Sequence, residues 1–222
     1  VRLYLAGQKA FGAAVFEAVR KAGHEVVQVS APAWRPNGLL PDRLRDAAEK
    51  AGVPWLEAGK LRAELLPGGV DLIVCAHSHD FVGRKTRLKA RLGAIGYHPS
   101  LLPRHRGRDA VRWAVHMGDA VTGGTVYWLT DSVDAGPIAA QEHVFIVPGE
   151  APERLWREKL APLGVRLTLR VLQDLAAGRI VSRRQDEEAA TWEPSWTRPP
   201  LPRPDLDLIG TLPAGFRLEG RA

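Results

Sequence analysis

Two rhythms of apolar residues alternate along this chain. Short runs with few polar interruptions, at residues 2–6, Glu25–Ser30 and Val70–Ala76, have the length of strands. Between them lie stretches whose apolar residues recur every three or four positions. Ala13–Ala22 carries Val15, Phe16, Val19 and Ala22 at that spacing and stops at Gly23, which predicts a helix. Strand, helix and strand in this order make a β-α-β unit with parallel strands and a right-handed crossover. Gly7 to Gly12 reads as the turn that feeds the helix. It does not complete a G-x-G-x-x-G, so a dinucleotide site has little support.

The alternation continues. A Pro/Gly-bearing loop over 31–40 holds Trp34 and Arg35. Asp42–Ala51 predicts a helix that opens after Pro41 and closes at Gly52. Val53-Pro54-Trp55 fits an edge strand, where a missing N–H does no harm. Leu61–Leu66 predicts a short helix, and Val70–Ala76 a strand covered on both faces, as parallel sheets require. Arg84–Leu92 is a basic helix or turn, and Ala94-Ile95 leads a strand into His98. Arg108–Met117 is a helix ended by Gly118-Asp119. Gly123–Leu129 is a strand with Thr125 and Tyr127 on one face and Val126 and Trp128 on the other, and Ile138–Val147 is a further strand. Pro152–Ala177 carries an apolar stripe (Leu155, Leu160, Leu163, Leu167, Val171, Leu172, Leu175) on one long helix or two, with Pro162 and Gly164 as kink points and Gly178 as cap. The expected fold class is α/β: a Rossmann-like, mostly parallel sheet flanked by helices. From residue 182 the rhythm gives way to Arg, Glu and Pro around Trp192 and Trp196, which predicts an extended carboxyl-terminal arm. The division is then a body over 1–181 and an arm over 182–222.

Composition narrows the function classes. The net charge of +6 comes from 31 Lys+Arg against 25 Asp+Glu, scattered without a run of five like charges. That suits an anionic ligand or a mildly basic surface, and gives nucleic-acid binding little direct support. The single cysteine, Cys75, sits in the apolar run of the 70–76 strand and reads as buried core; a chain with no internal disulfide fits a cytoplasmic setting. No apolar stretch approaches the ~20 residues of a spanning helix, and the opening residues lack a leader pattern.

Candidate chemistry concentrates in two polar loops and one turn. Residues 95–107 run from an apolar approach into His98, then a Pro-bracketed connection (Pro99, Ser100, Leu101, Leu102, Pro103), then Arg104, His105, Arg106 and Gly107. Each proline fixes φ and removes a donor, so His98 leaves a strand end on a stiff, irregular loop, where functional groups gather. About thirty residues on, the turn 130–137 carries Asp134. His and Asp on loops after neighbouring strands can converge on one reacting group. After the 70–76 strand comes His77-Ser78-His79-Asp80-Phe81. Zinc normally takes at least three protein ligands and no further cluster has such spacing; the preferred reading is a polar loop at a strand's carboxyl end, where open α/β sheets bind ligands.

These residues resemble a known family. His98-Pro99-Ser100-Leu101-Leu102-Pro103, then Arg106-Gly107, then Asp134-Ala135-Gly136-Pro137-Ile138, are similar to the folate-dependent formyltransferase fold that uses 10-formyltetrahydrofolate in one-carbon metabolism. The resemblance extends to the amino-terminal hydrolase domain of 10-formyltetrahydrofolate dehydrogenase. It rests there on Gly7-Gln8 with Phe11-Gly12, on Arg20 to Val27, on Tyr97 to Gly107, and on Gln185-Asp186-Glu187-Glu188 with Ala190-Thr191. It implies that the body is a formyltransferase catalytic domain, with His98 and Asp134 as the catalytic pair acting through a tetrahedral intermediate. It implies a pterin-gripping loop at His77, Ser78, His79, Asp80, Phe81 and Val82, and a second folate loop at Thr130, Asp131 and Val133. Gln8, Lys9, Phe11 and Arg106 are implied on the side of the acceptor or the anionic tail, with Arg84, Lys85 and Arg87 as further basic candidates for that tail. Family transferases carry Asn two residues before the histidine; here that position is Gly96.

Three readings follow from the resemblance. The first is transfer of the formyl group to the amine of a small-molecule acceptor, releasing tetrahydrofolate. The second is hydrolysis of 10-formyltetrahydrofolate, with water in place of the amine. The third is a catalytically weak folate-binding protein, which retention of both His98 and Asp134 disfavours. No nucleic acid or membrane partner and no metal is expected, and a homodimer is compatible with the sequence.

Overall fold

The computed structural model describes residues 1–36, 38–78 and 80–196. Its elements, in chain order, are β1 (Arg2–Gly7), α1 (Lys9–Lys21), β2 (Glu25–Ala31), α2 (Arg43–Lys50), β3 (Trp55–Glu57), β4 (Leu72–Ala76), α3 (Arg84–Lys89), β5 (Ala94–His98), α4 (Ala110–His116), β6 (Val121–Trp128), β7 (Ile138–Phe145), α5 (Pro152–Leu155) and α6 (Ala161–Ala176). The strands form one sheet in the order β3-β2-β1-β4-β5-β6-β7. The pairs from β3 to β5 are parallel, whereas β6 and β7 run antiparallel. This is the mostly parallel, helix-flanked sheet that the apolar pattern predicts.

Alternation along β1 shows how both faces are covered. Leu3 and Leu5 pack into one core with Phe11, Phe16 and Leu44 from α1 and α2 and Leu163, Leu167 and Leu172 from α6. Tyr4 and Ala6 face the opposite core with Leu61, Leu66, Ile73 and Val82. Each such large apolar side chain contributes about 1.5–3 kcal/mol on full burial. Strand order reverses between β1 and β4, the switch point at which α/β sheets open a ligand crevice beyond their carboxyl ends.

Several elements depart from the sequence pattern. α1 begins at Lys9, not Ala13, because a carboxylate from elsewhere covers its amino end: Asp42 accepts the Lys9 N–H at 2.9 Å and also caps α2 through Leu44 N–H. Gly12 is therefore helical, and a Cβ there would press on the Gly7 backbone and Leu44 at 3.3 Å. The edge strand starts at Trp55, with Pro54 just before it accepting the Val29 N–H. Residues 61–66 contain only a 3₁₀ turn, Ala63–Leu65, flanked by the buried Leu61 and Leu66. Between α5 and α6 lies a π-helical turn, Trp156–Leu160, marked by the Ala161 N–H donating to Trp156 O. Pro162 just beyond lacks an N–H, so the register change stands where the α ladder loses a donor.

The stretch marked as an arm lies against the body as far as residue 196. Arg183 exchanges backbone hydrogen bonds with Ile138 of β7. The Trp113 indole donates to Pro194 O at 2.9 Å, and Trp196 stacks edge-on against Trp113. The remainder of the arm, 197–222, lies outside the described residues.

Candidate active site

β5 delivers His98 to its last position, where Pro99 ends strand pairing. The loop that follows folds back on itself. Ser100 Oγ donates to Arg104 O at 2.6 Å, Thr125 Oγ1 donates to Ser100 O at 2.7 Å, and Gln141 holds Leu102 O at 2.9 Å. This closure returns the His105 carbonyl to within 2.6 Å of His98 Nε2. A carbonyl can only accept, so Nε2 carries a proton. His98 Nδ1 is left facing Asp134 Oδ2 at 3.6 Å, too long for a hydrogen bond and therefore uncommitted.

Asp134 sits in the turn after β6 with φ of 51°, a left-handed conformation that Asp tolerates better than most residues. Its carboxylate accepts from the Tyr127 hydroxyl at 2.6 Å and from Gly107 N–H at 2.9 Å. Gln185, from the arm, donates to the carbonyls of Asp134 and Gly136 at 2.8 and 2.7 Å. Gly107 itself has φ of 105°, a conformation open chiefly to glycine. Both members of the pair are nearly buried and are held on several sides.

Beside the pair opens a cavity of about 650 Å³ lined by the carboxyl ends of β4, β5 and β6 and the loops after them. It gathers His77, Ser78, Asp80, Phe81 and Val82 from one loop and Thr130, Asp131 and Val133 from the other, together with Phe11. His79 lies outside the described residues. The two loops are stapled together: Arg87 donates to Val82 O and to Asp131 Oδ1, at 2.9 and 2.6 Å. That hydrogen bond, more than its charge, lowers the pKa of Asp131. Asp80 accepts from Ser30 Oγ and Gly59 N–H, tying its loop to the ends of β2 and β3. Trp156, Tyr97 and Phe11 form an aromatic wall, with Tyr97 donating to Leu160 O of the π turn at 2.7 Å.

Four expected ligand residues are placed elsewhere. Arg106 is 4% exposed and spends its guanidinium on Gln185 Oε1 and both Glu187 carboxylate oxygens. Its charge is consumed by the arm and does not reach the cavity. Gln8 is buried away from the cavity wall, and Lys9, though exposed, contributes its backbone to the Asp42 cap. Arg87 is turned inward as the staple and is no surface group. Cys75 also differs from a purely core residue: it lines the cavity, and desolvation, with the Asp80 charge beside it, pushes its thiol up to about 12. Tyr127 joins the site without having been expected there; its one signal is its place on the same strand face as Thr125, opposite Gly96. Among the described residues, no group of three or more His, Cys, Asp or Glu side chains is placed to hold a metal, and no helix is long and apolar enough to cross a membrane.

A His–Asp pair thus stands in the wall of a crevice at the switch point of a mostly parallel sheet. The family model "Formyl transferase" matches residues 3–172, and the chain belongs to that family. It is 34% identical over 203 residues to human mitochondrial 10-formyltetrahydrofolate dehydrogenase, covering 87% of this chain and 22% of that protein. The chain thus spans about a fifth of that relative's length. It is 31% identical over 208 residues to methionyl-tRNA formyltransferase of Acidobacterium capsulatum, covering 89% of this chain and 67% of that one. The crystal structure of glycinamide ribonucleotide transformylase 1 from Symbiobacterium toebii superposes with a TM-score of 0.70 at 26% identity, over 84% of this chain and 94% of that one.

Proposed function

We propose that this chain transfers the formyl group of 10-formyltetrahydrofolate to the amine of a small-molecule acceptor. The observation that carries the reading is the His98–Asp134 pair, with Nδ1 uncommitted at the edge of the cavity. The cavity fits such a donor: its volume of about 650 Å³ lies within the usual range for small-molecule sites. It offers the apolar faces of Phe81, Val82, Leu129, Val133 and Trp156, with polar loop backbone at its margins. The formyl-folate supplies an activated one-carbon acyl group. The residues do the rest. His98, locked by the His105 carbonyl, presents Nδ1 in a fixed direction. As imidazolium it donates to an oxygen gaining negative charge, commonly a large term in acyl transfer. As the neutral Nε2–H tautomer it accepts a proton from the attacking amine. Asp134 stabilises the charged ring in either sense.

A second reading, hydrolysis, is favoured by Gly96. The Tyr127 ring and Leu129 lie where a side chain at 96 would begin, so no amide donor stands there, and the dehydrogenase similarity points the same way. The deciding experiment is the absorbance of 10-formyltetrahydrofolate with purified protein, alone and with a panel of small amines. Turnover only with one amine supports transfer; turnover without any amine replaces transfer by hydrolysis; no turnover under either condition overturns both.

A further inference from the structure

Gly96 of β5 pairs directly with Tyr127 of the antiparallel β6. Cross-strand partners share one face of the sheet. A Cβ at 96 would meet Tyr127 Cε1 at 3.3 Å and Leu129 Cδ1 at 3.1 Å, so the phenol covers the glycine. From that seat its hydroxyl donates to Asp134 Oδ1 at 2.6 Å. The other carboxylate oxygen takes the Gly107 N–H at 2.9 Å and faces His98 Nδ1. Each oxygen of Asp134 therefore has one fixed donor, and the orientation that aims Oδ2 at the histidine is determined by both. The phenol is half-buried at the cavity wall, and desolvation, then the Asp134 charge, raise its pKa well above the ordinary value, so it remains a donor.

We infer that Tyr127 is a positioning residue of this site, coupled to the glycine at 96, whose hydroxyl locks the Asp134 carboxylate towards His98. The inference rests on the reaction proposed above for what is positioned, although the lock itself is a property of the resting protein. The titratable groups around it are Asp134 from the turn, His98 at the end of β5 and Cys75 on β4, with Arg106 reaching Asp134 only through Gln185.

The test is Tyr127→Phe, which keeps the ring and removes the donor. Loss of a hydrogen bond to a charged group lowers kcat for formyl-folate roughly ten- to hundredfold, while KM stays within about twofold because the ring that lines the cavity is kept. The pH–rate profile changes as well, since the carboxylate facing His98 loses one of its two fixed donors. In the protein without substrate, the NMR titration of the His98 ring, assigned by its loss in His98→Ala, is displaced by Tyr127→Phe. It is not displaced when Tyr127→Phe is added to Asp134→Asn. A fall in kcat with an unchanged pH profile and an unchanged His98 titration means a merely structural tyrosine and overturns the inference, as does full activity of the variant. Should the wild-type protein turn over no formyl-folate, the proposed function fails, while the His98 titration still decides whether the lock exists.

Discussion

The Nε2 atom of His98 lies 2.6 Å from the carbonyl oxygen of His105, a residue of the very loop that His98 opens. Seven residues of rigid chain return to fix the ring, so its tautomer and direction are set before any ligand arrives. His105 is itself held, with Nε2 2.8 Å from Asp119 and its backbone N–H on Thr191 Oγ1, while Nδ1 lies 3.1 Å from Glu193 without making a hydrogen bond. The anchor of His98 therefore depends on the arm as well as on the motif.

Asp134→Asn keeps shape and removes charge. Loss of its support for a protonated His98 lowers kcat by about 10²–10⁴-fold, with folate affinity unchanged. Steady-state kinetics beside a binding titration checks this; a variant with wild-type kcat removes Asp134 from the mechanism.

Arg106→Ala acts through structure. It strips the half-buried Gln185 and the exposed Glu187 of their shared partner and loosens the Gln185 grip on the Asp134 turn. Melting shifts down and kcat falls, with KM for formyl-folate held. A raised KM with unchanged melting would restore Arg106 as a ligand residue.

Cys75 is predicted to be inert although it lines the cavity. With its thiol pushed up to about 12, chiefly by desolvation, it is protonated at pH 8 and lacks the nucleophilic thiolate. Iodoacetamide at pH 8 leaves the folded protein unmodified and adds one equivalent after denaturation. Fast labelling of the native protein at that pH contradicts this.

Gly164→Ala overpacks the aromatic wall. The new Cβ would lie 2.6 Å from Tyr97 Cε1 and 2.8 Å from Phe11 Cζ, and such crowding costs about 1–3 kcal/mol. Chemical denaturation reads the loss of stability; a neutral or stabilising result means that the ring pair has slack.

The body of the fold was legible because its parallel strands are buried on both faces and stand out as apolar runs. β1 and β4 needed no tertiary knowledge. The start of α1 did, since its capping carboxylate comes from Asp42, 33 residues away. The stretch 61–66 carries two buried leucines, but they anchor a loop against the sheet and do not mark a helix. At the site, His98 and Asp134 were visible through the motif they share. The partners of Arg106 were not legible, because Gln185 and Glu187 lie 79 and 81 positions on. Tyr127 was placed on the correct strand face but had no visible role, because its partner is chosen by the turn that brings Asp134 back.

The proposed function makes His98 the group that performs the chemistry, in a cavity that takes formyl-folate. The most direct measurement compares wild-type protein with His98→Ala for both binding and turnover of 10-formyltetrahydrofolate, binding being read from quenching of the tryptophan fluorescence to which Trp156 in the cavity wall contributes. The account predicts equal binding, turnover by the wild type, and loss of turnover by about 10²–10⁴-fold in the variant. Turnover by His98→Ala at the wild-type rate, or a wild-type protein that binds no formyl-folate, would contradict it.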